Sequence, residues 1–465
     1  MYGDFSRLTY SPGKAYTGVW SQQGRVQLDA DANEQTAILL DWLRTLAIDF
    51  IGPFGGHVKR AGFHVEVNGS DLTFSPGHYY VYGLRCEVPE PAGPDDQAAT
   101  YRGLVPAASS LPVLVQLLVW ERSVSAVIDD SLLEPALGPH PPDTTVRTQV
   151  AWSPMVSSSL PAPDPDGTAL ADVKAADLNA EYISANFEEY NARGRTLPLL
   201  AAGVGDNEGE AASIVPATSG YLGTENQLYR LEVHMGGTVA AGHPTYKWSR
   251  DNGSAEFRVV AIDTEEGDVK KGGGKNAPDP VAHVTVASLG RDARTGLAAG
   301  DWVELIDDTS IPHGTPAPLL AVQAVDRASR IVTLGGELAT DLSLHPYLRR
   351  WDQTSPSPDG SPIVESSADG ENDTWLQLED GVQVRFLANG AEYRTGDYWL
   401  IPARTATGGV LWPGGSDPRA VPPHGPTRYL VPLALVTAKD TAEDMRILFT
   451  HLAWPEPGNQ DGKEA

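Results

Sequence analysis

The side chains that could carry chemistry fall into four local groups. Asp29, Asp31, Asn33 and Glu34 begin like a calcium loop, in which oxygen ligands on alternate residues wrap a hard cation. The group lacks the central Gly and the distant bidentate Glu of such a loop. Helix capping accounts for it better, since Asp31 and Glu34 have the three-residue spacing of a capping box. Glu371, Asp373, Glu379 and Asp380 cluster around Trp375. Glycoside hydrolysis needs two carboxyls about 5 to 9 Å apart beside a cleft, but solvated strand edges are the simpler reading. Gly272-Gly-Gly-Lys275 ends like a phosphate loop, but its spacing is wrong and no apolar strand leads into it, so it reads as a flexible loop. His313 and His424 stand in Pro/Gly turns without ligand partners at short spacing. No Walker A loop, GxGxxG, HExxH or GxSxG motif is present. The single cysteine, Cys86, permits neither an intrachain disulfide nor a CxxC zinc site, and its apolar surroundings mark it as a small core residue. No catalytic, cofactor-binding or metal-ligating residue is assigned, and the chain is not expected to be an enzyme.

The elements that would position such groups are mostly strands. Residues 1–28 form a polar arm dotted with Tyr2, Phe5, Tyr10, Tyr16 and Trp20. A helix follows, with Leu39, Leu43, Leu46 and Phe50 at steps of four, three and four and Trp42 on the same side. Ile38 and Ile48 fall on other faces, so this helix should be covered on more than one side. Ile51-Gly52-Pro53 stops it. From residue 61 the period changes to two. Val113 to Trp120 is a nearly continuous apolar run that suits a central strand, and a short helical stretch is expected over 169–192. Five short strand patterns between about 255 and 335 suggest a small barrel or sandwich. In Tyr246-Lys-Trp-Ser-Arg-Asp-Asn-Gly-Ser254, Tyr246 and Trp248 share one strand face, and Asp251-Asn252-Gly253 supplies left-handed turn residues.

Composition agrees. With 465 residues, 47 Gly and 37 Pro, the chain is too long for one core and too punctuated for long helices. The fold class is therefore mainly β, a multi-unit β-sandwich and small-barrel architecture with an N-terminal extended arm and one long α-helix. The expected units are an arm and helix (1–56), a β domain with a long loop excursion (57–254), a small barrel or sandwich (255–350) and a C-terminal β unit with a disordered tail (351–465). A formal charge of −27 repels phosphate backbones and anionic leaflets, which argues against nucleic-acid and membrane-surface partners. No apolar run approaches the roughly 18 residues of a membrane span, and no secretory leader is recognisable.

Several phrases combine into something more specific: Gly3-Asp-Phe-Ser-Arg-Leu8, Gln22-Gln-Gly-Arg-Val-Gln-Leu-Asp-Ala-Asp-Ala-Asn-Glu-Gln35, Val119-Trp-Glu-Arg-Ser-Val124, Asp143-Thr-Thr-Val-Arg147, Glu225-Asn-Gln-Leu-Tyr-Arg230, Tyr246 to Ser254, and Tyr393-Arg-Thr-Gly-Asp-Tyr-Trp399. Together they resemble an uncharacterised bacterial family encoded with extracellular contractile injection systems and related phage-tail-like particles. The resemblance implies a structural, baseplate-associated, cage or fibre-like part, made and assembled in the cytoplasm and released with the particle. Its partners would be other particle subunits, including copies of itself. The assembly contact expected from the residues is Tyr2, Phe5, Tyr10, Tyr16, Trp20, Leu39, Trp42, Leu43, Leu46 and Phe50. The alternative is a carbohydrate-binding or carbohydrate-cleaving tail protein with Trp and Tyr lining an acidic cleft.

Overall fold

The computed structural model describes residues 1–450 apart from 92–99, 108–109, 139–140, 162–167, 175–177, 194–195, 206–219, 240–243, 265–280, 308–315, 337, 339–344, 354–374 and 388–389. The loop at 272–275, His313, Glu371, Asp373 and the tail after Pro455 lie outside the described residues. The described chain is mainly β, with several sheets, one closed six-stranded barrel and two α-helices. Neither helix is long and apolar enough to cross a membrane.

Three cores are nested in the chain rather than strung along it. The outermost is organised by strand Val113–Val124, which lies between Arg147–Ser157 and Arg428–Ala438. Its apolar residues Val113, Leu114, Val115, Leu117 and Val119 are all buried, because material covers both sheet faces. Helix α2 (Ala180–Arg193) drives Ile183 and Phe187 into this core. The Asn191 side chain then acts as a strand partner, accepting from Leu430 N–H at 3.1 Å and donating to Leu430 O at 2.7 Å. At the other end, Gly56 and His57 pair in parallel with Leu448 and Phe449.

Inside that frame sits a sandwich. Leu199–Val204 pairs with Val382–Leu387, and Gln227–Val233 lies between Tyr246–Ser249 and Tyr398–Arg404. Tyr229, Trp248, Phe386 and Trp399 fill its core. Inserted within the sandwich is the barrel, formed by Glu256–Thr264, Val281–Val286, Ile331–Gly335, Leu319–Asp326, Trp302–Ile306 and Tyr347–Trp351 in that spatial order. The sixth strand, Tyr347–Trp351, closes it and pairs Arg349 with both Glu256 and Glu304. Sequence periodicity resolves only five of these strands, since two adjacent arginines do not read as an interior strand.

The nesting departs from the expected units. The segments drawn as 57–254 and 351–465 exchange pieces: 428–449 completes the first core, whereas 199–254 joins 376–425 in the sandwich. Such an arrangement is stable because each insertion leaves and re-enters through neighbouring strands, as Glu256 and Arg349 do.

Candidate docking surface

Helix α1 (Asp29–Ile51) is apolar on two faces, and its own domain covers one of them. Ala30 and Ile38 are buried, and Arg44 Nη2 meets Glu121 Oε1 at 2.6 Å. The hairpin turn at Gly83 (φ +76°) lies so close beneath that a Cβ there would stand 2.6 Å from the Arg44 Cα. On the opposite face Leu39, Trp42, Leu43, Leu46 and Phe50 are all exposed, Trp42 by 65%, Leu43 by 63% and Phe50 by 59%. The helix expected to be covered on more than one side is thus covered on one, and the remaining stripe faces water.

The capping box does not form. The helix starts earlier, with Leu28 as N-cap and no side-chain cap bond. The acids serve the arm instead. Asp29 accepts from Ser6 N–H at 2.8 Å and Ser6 Oγ–H at 2.6 Å, and Glu34 accepts from Thr9 Oγ1. Gln35 Oε1 accepts from Val19 N–H at 2.7 Å. Tyr10 is held by Asp41; partial desolvation, followed by that hydrogen bond, pushes its phenol up to about 12. These contacts hold the arm along the helix.

The arm begins deep in the molecule. The Tyr2 ring is stacked between the guanidinium groups of Arg230, at 3.8 Å, and Arg349, at 3.4 Å, and its hydroxyl donates to Glu232 Oε2 at 2.7 Å. Burial, then Glu232, drives the Tyr2 phenol far above its ordinary value. Phe5 packs on Leu228, Tyr398 and Leu400. Of the ten residues expected to contact partners, Tyr2, Phe5 and Tyr10 are therefore engaged by their own chain. Tyr16, Trp20 and the five helix residues are exposed, Trp20 by 90%. Periodicity passes over further exposed apolar residues of this segment, among them Leu8, Val26, Leu28 and Leu40.

Around Tyr2 lies a buried ionic junction between sandwich and barrel. Lys247 Nζ reaches Glu304 Oε1 at 2.5 Å and Glu232 Oε1 at 3.4 Å, and sits 4.5 Å from the Trp351 ring centre. Glu232 also receives Arg230 Nη2 at 2.7 Å, while Arg349 pairs with Glu256. Burial pushes the Glu232 carboxyl up, but Arg230, Lys247, Tyr2 and Arg349 outweigh it and hold the group at about 2. Tyr229-Arg230-Leu231-Glu232-Val233 is the sequence trace of this junction: charges take the strand positions opposite the apolar ones, and the barrel covers that face.

The other sequence candidates resolve individually. Glu379 is held by Arg250, and Asp380 occupies a left-handed turn (φ +49°). Trp375 lies against Arg385, and Trp248 is buried against Tyr229 rather than exposed as a platform. His424 Nδ1 accepts from Leu400 N–H at 3.0 Å. Cys86 is buried, which pushes its thiol up to about 12. Among the described residues no group of three His, Cys, Asp or Glu could hold a metal ion.

Residues 1–179 and 161–445 match the model of a family of unknown function, DUF6519. No curated protein and no solved structure matches the chain.

Proposed function

We propose that this chain, which belongs to the DUF6519 family of unknown function, is a structural subunit of a contractile, phage-tail-like particle that docks through helix α1. In this reading it is assembled in the cytoplasm with baseplate, sheath or tube proteins and further copies of itself, and leaves the cell with the particle. The observation that carries the docking is the row of Leu39, Trp42, Leu43, Leu46 and Phe50, exposed on a helix whose other face is anchored. Apolar surface removed from water gains about 25 cal/mol per Å², and contiguous exposed apolar patches on folded proteins mark contact sites. The particle class rests on the sequence resemblance.

The test is to purify particles from a producing strain carrying Leu43→Glu and Leu46→Glu. The variant chain should be absent from particles that keep their sheath and tube; incorporation at wild-type levels would refute docking through α1. Substitution is preferable to deleting residues 1–28, because loss of Tyr2 would open the ionic junction.

A further inference from the structure

The outer face of α1 has a pattern that the docking reading does not use. Leu39, Leu43, Leu46 and Phe50 are spaced four, three and four, the d-a-d-a sequence of a heptad. Of the preceding a and d positions, Ala32 and Thr36 are exposed as well, whereas Asp29 holds Ser6 of the arm, so the seam from Ala32 to Phe50 points away from the molecule. The residues that bind the helix to its own body, Ala30, Glu34, Ile38, Arg44 and Ile48, occupy the b, c and f positions that a coiled coil normally turns outward. The usual assignment of faces is inverted: the seam is free and the outer face is anchored.

The seam also reads the same in both directions. We propose that α1 pairs with α1 of a second copy of this chain, as a short antiparallel coiled coil on a two-fold axis. This rests on the docking reading above and names its occupant. A two-fold contact requires a self-complementary patch, and the 4-3-4 spacing provides one. Leu39 lies opposite Phe50 of the second copy, and Leu43 opposite Leu46. At the flanking e and g positions, Leu40 meets Ala47, large against small, and Trp42 meets Asp49. No flanking pair juxtaposes like charges, and no flanking Lys, Arg or Glu specifies a different helix. A parallel pair would bring the Asp29 carboxylates of the two first turns, which stand at a positions, side by side. The antiparallel arrangement separates them.

Sedimentation of the full-length chain over a concentration series, together with thiol cross-linking, tests this. The wild-type chain should show a monomer–dimer equilibrium, weakened at least tenfold by Leu43→Glu with an unchanged melting curve at low concentration. A mixture of Leu39→Cys and Phe50→Cys chains should cross-link with a short bifunctional reagent, whereas Leu39→Cys chains alone should not, because two Leu39 positions would stand about 16 Å apart along the axis. The buried Cys86 thiol does not interfere. Cross-linking of Leu39→Cys alone would overturn the antiparallel arrangement. A chain that stays monomeric, while Leu43→Glu still blocks entry into particles, would overturn self-pairing and leave docking intact. Neither dimer formation nor any effect on particle entry would overturn both.

Discussion

The ionic junction and the outer face of α1 reverse the usual distribution of side chains in opposite ways. At the junction Arg230, Glu232, Lys247, Glu304 and Arg349 are inside, each against an opposite charge or an aromatic face. On α1, Leu39, Trp42, Leu43, Leu46 and Phe50 are outside with nothing on them. The first reversal is compensated within the chain and the second is not. That difference separates a structural feature from the proposed interaction surface: buried charge paired within the chain, although Arg349 Nε and Nη1 have no hydrogen-bond partner, fixes how sandwich and barrel meet, whereas uncovered apolar surface would be satisfied by the proposed partner.

The comparison breaks most visibly at Lys247. Replacing it with Met leaves Glu304, which is otherwise bonded only to Trp351 Nε1 in this cluster, and half-satisfied Glu232 buried. Loss of one partner from a buried pair costs about 3 to 5 kcal/mol, and urea unfolding should show it. A loss below about 1 kcal/mol would mean that water reaches the junction and that the two regions do not differ in kind. Trp248→Ala, which empties the sandwich core beside Tyr229, should cost a similar 3 to 5 kcal/mol. An unchanged melting temperature would return Trp248 to the role of an exposed platform.

Acid provides a gentler probe. Glu232 is depressed in the folded state to about 2 from an ordinary 4.5. The unfolded chain therefore binds the proton first, and the stabilisation is fully present above about pH 4.5 and is lost as pH falls towards 2. Its size is roughly 3 kcal/mol, at 1.4 kcal/mol per pKa unit. Stability measured between pH 5 and pH 2 should fall less steeply in Glu232→Gln than in the wild type. Parallel slopes would remove Glu232 from the set of groups that make the junction acid-sensitive.

The two regions also differ in how far the sequence discloses them. Period-two runs and turn residues locate most strands, and the left-handed turn at Asp251-Asn252-Gly253 follows from residue type alone. Helix α1 and the row from Leu39 to Phe50 are equally legible, because i, i+3 and i+4 spacing is local. Which helix face is covered is not local, since it depends on the Gly83 hairpin and on Glu121. The nesting of the three cores is hidden for the same reason: Val113 pairs with Val436 across more than three hundred residues, and no local pattern encodes that register. The junction leaves only a faint trace, charges alternating with buried apolar residues, which ordinarily signals a solvated strand face. Asp29 and Glu34 mislead because helix capping and clasping the arm require the same carboxylates at the same spacing.

The smallest expected effect is also the most discriminating. Leu43 is exposed by 63%, and replacing it with Gln removes little contact with its own chain. Helix propensity hardly changes, since Leu and Gln are both good helix formers. In a dilute, monomeric sample the unfolding free energy should stay within about 0.5 kcal/mol of wild type, the usual range for a surface position. The sample must be dilute because pairing stabilises the folded chain by mass action, so the wild-type melting temperature should rise with concentration while that of Leu43→Gln should not. A loss of 2 kcal/mol or more at low concentration would show that Leu43 packs on its own domain. The outer face of α1 would then be core that happens to border solvent, and the contrast with the ionic junction would collapse from the other side.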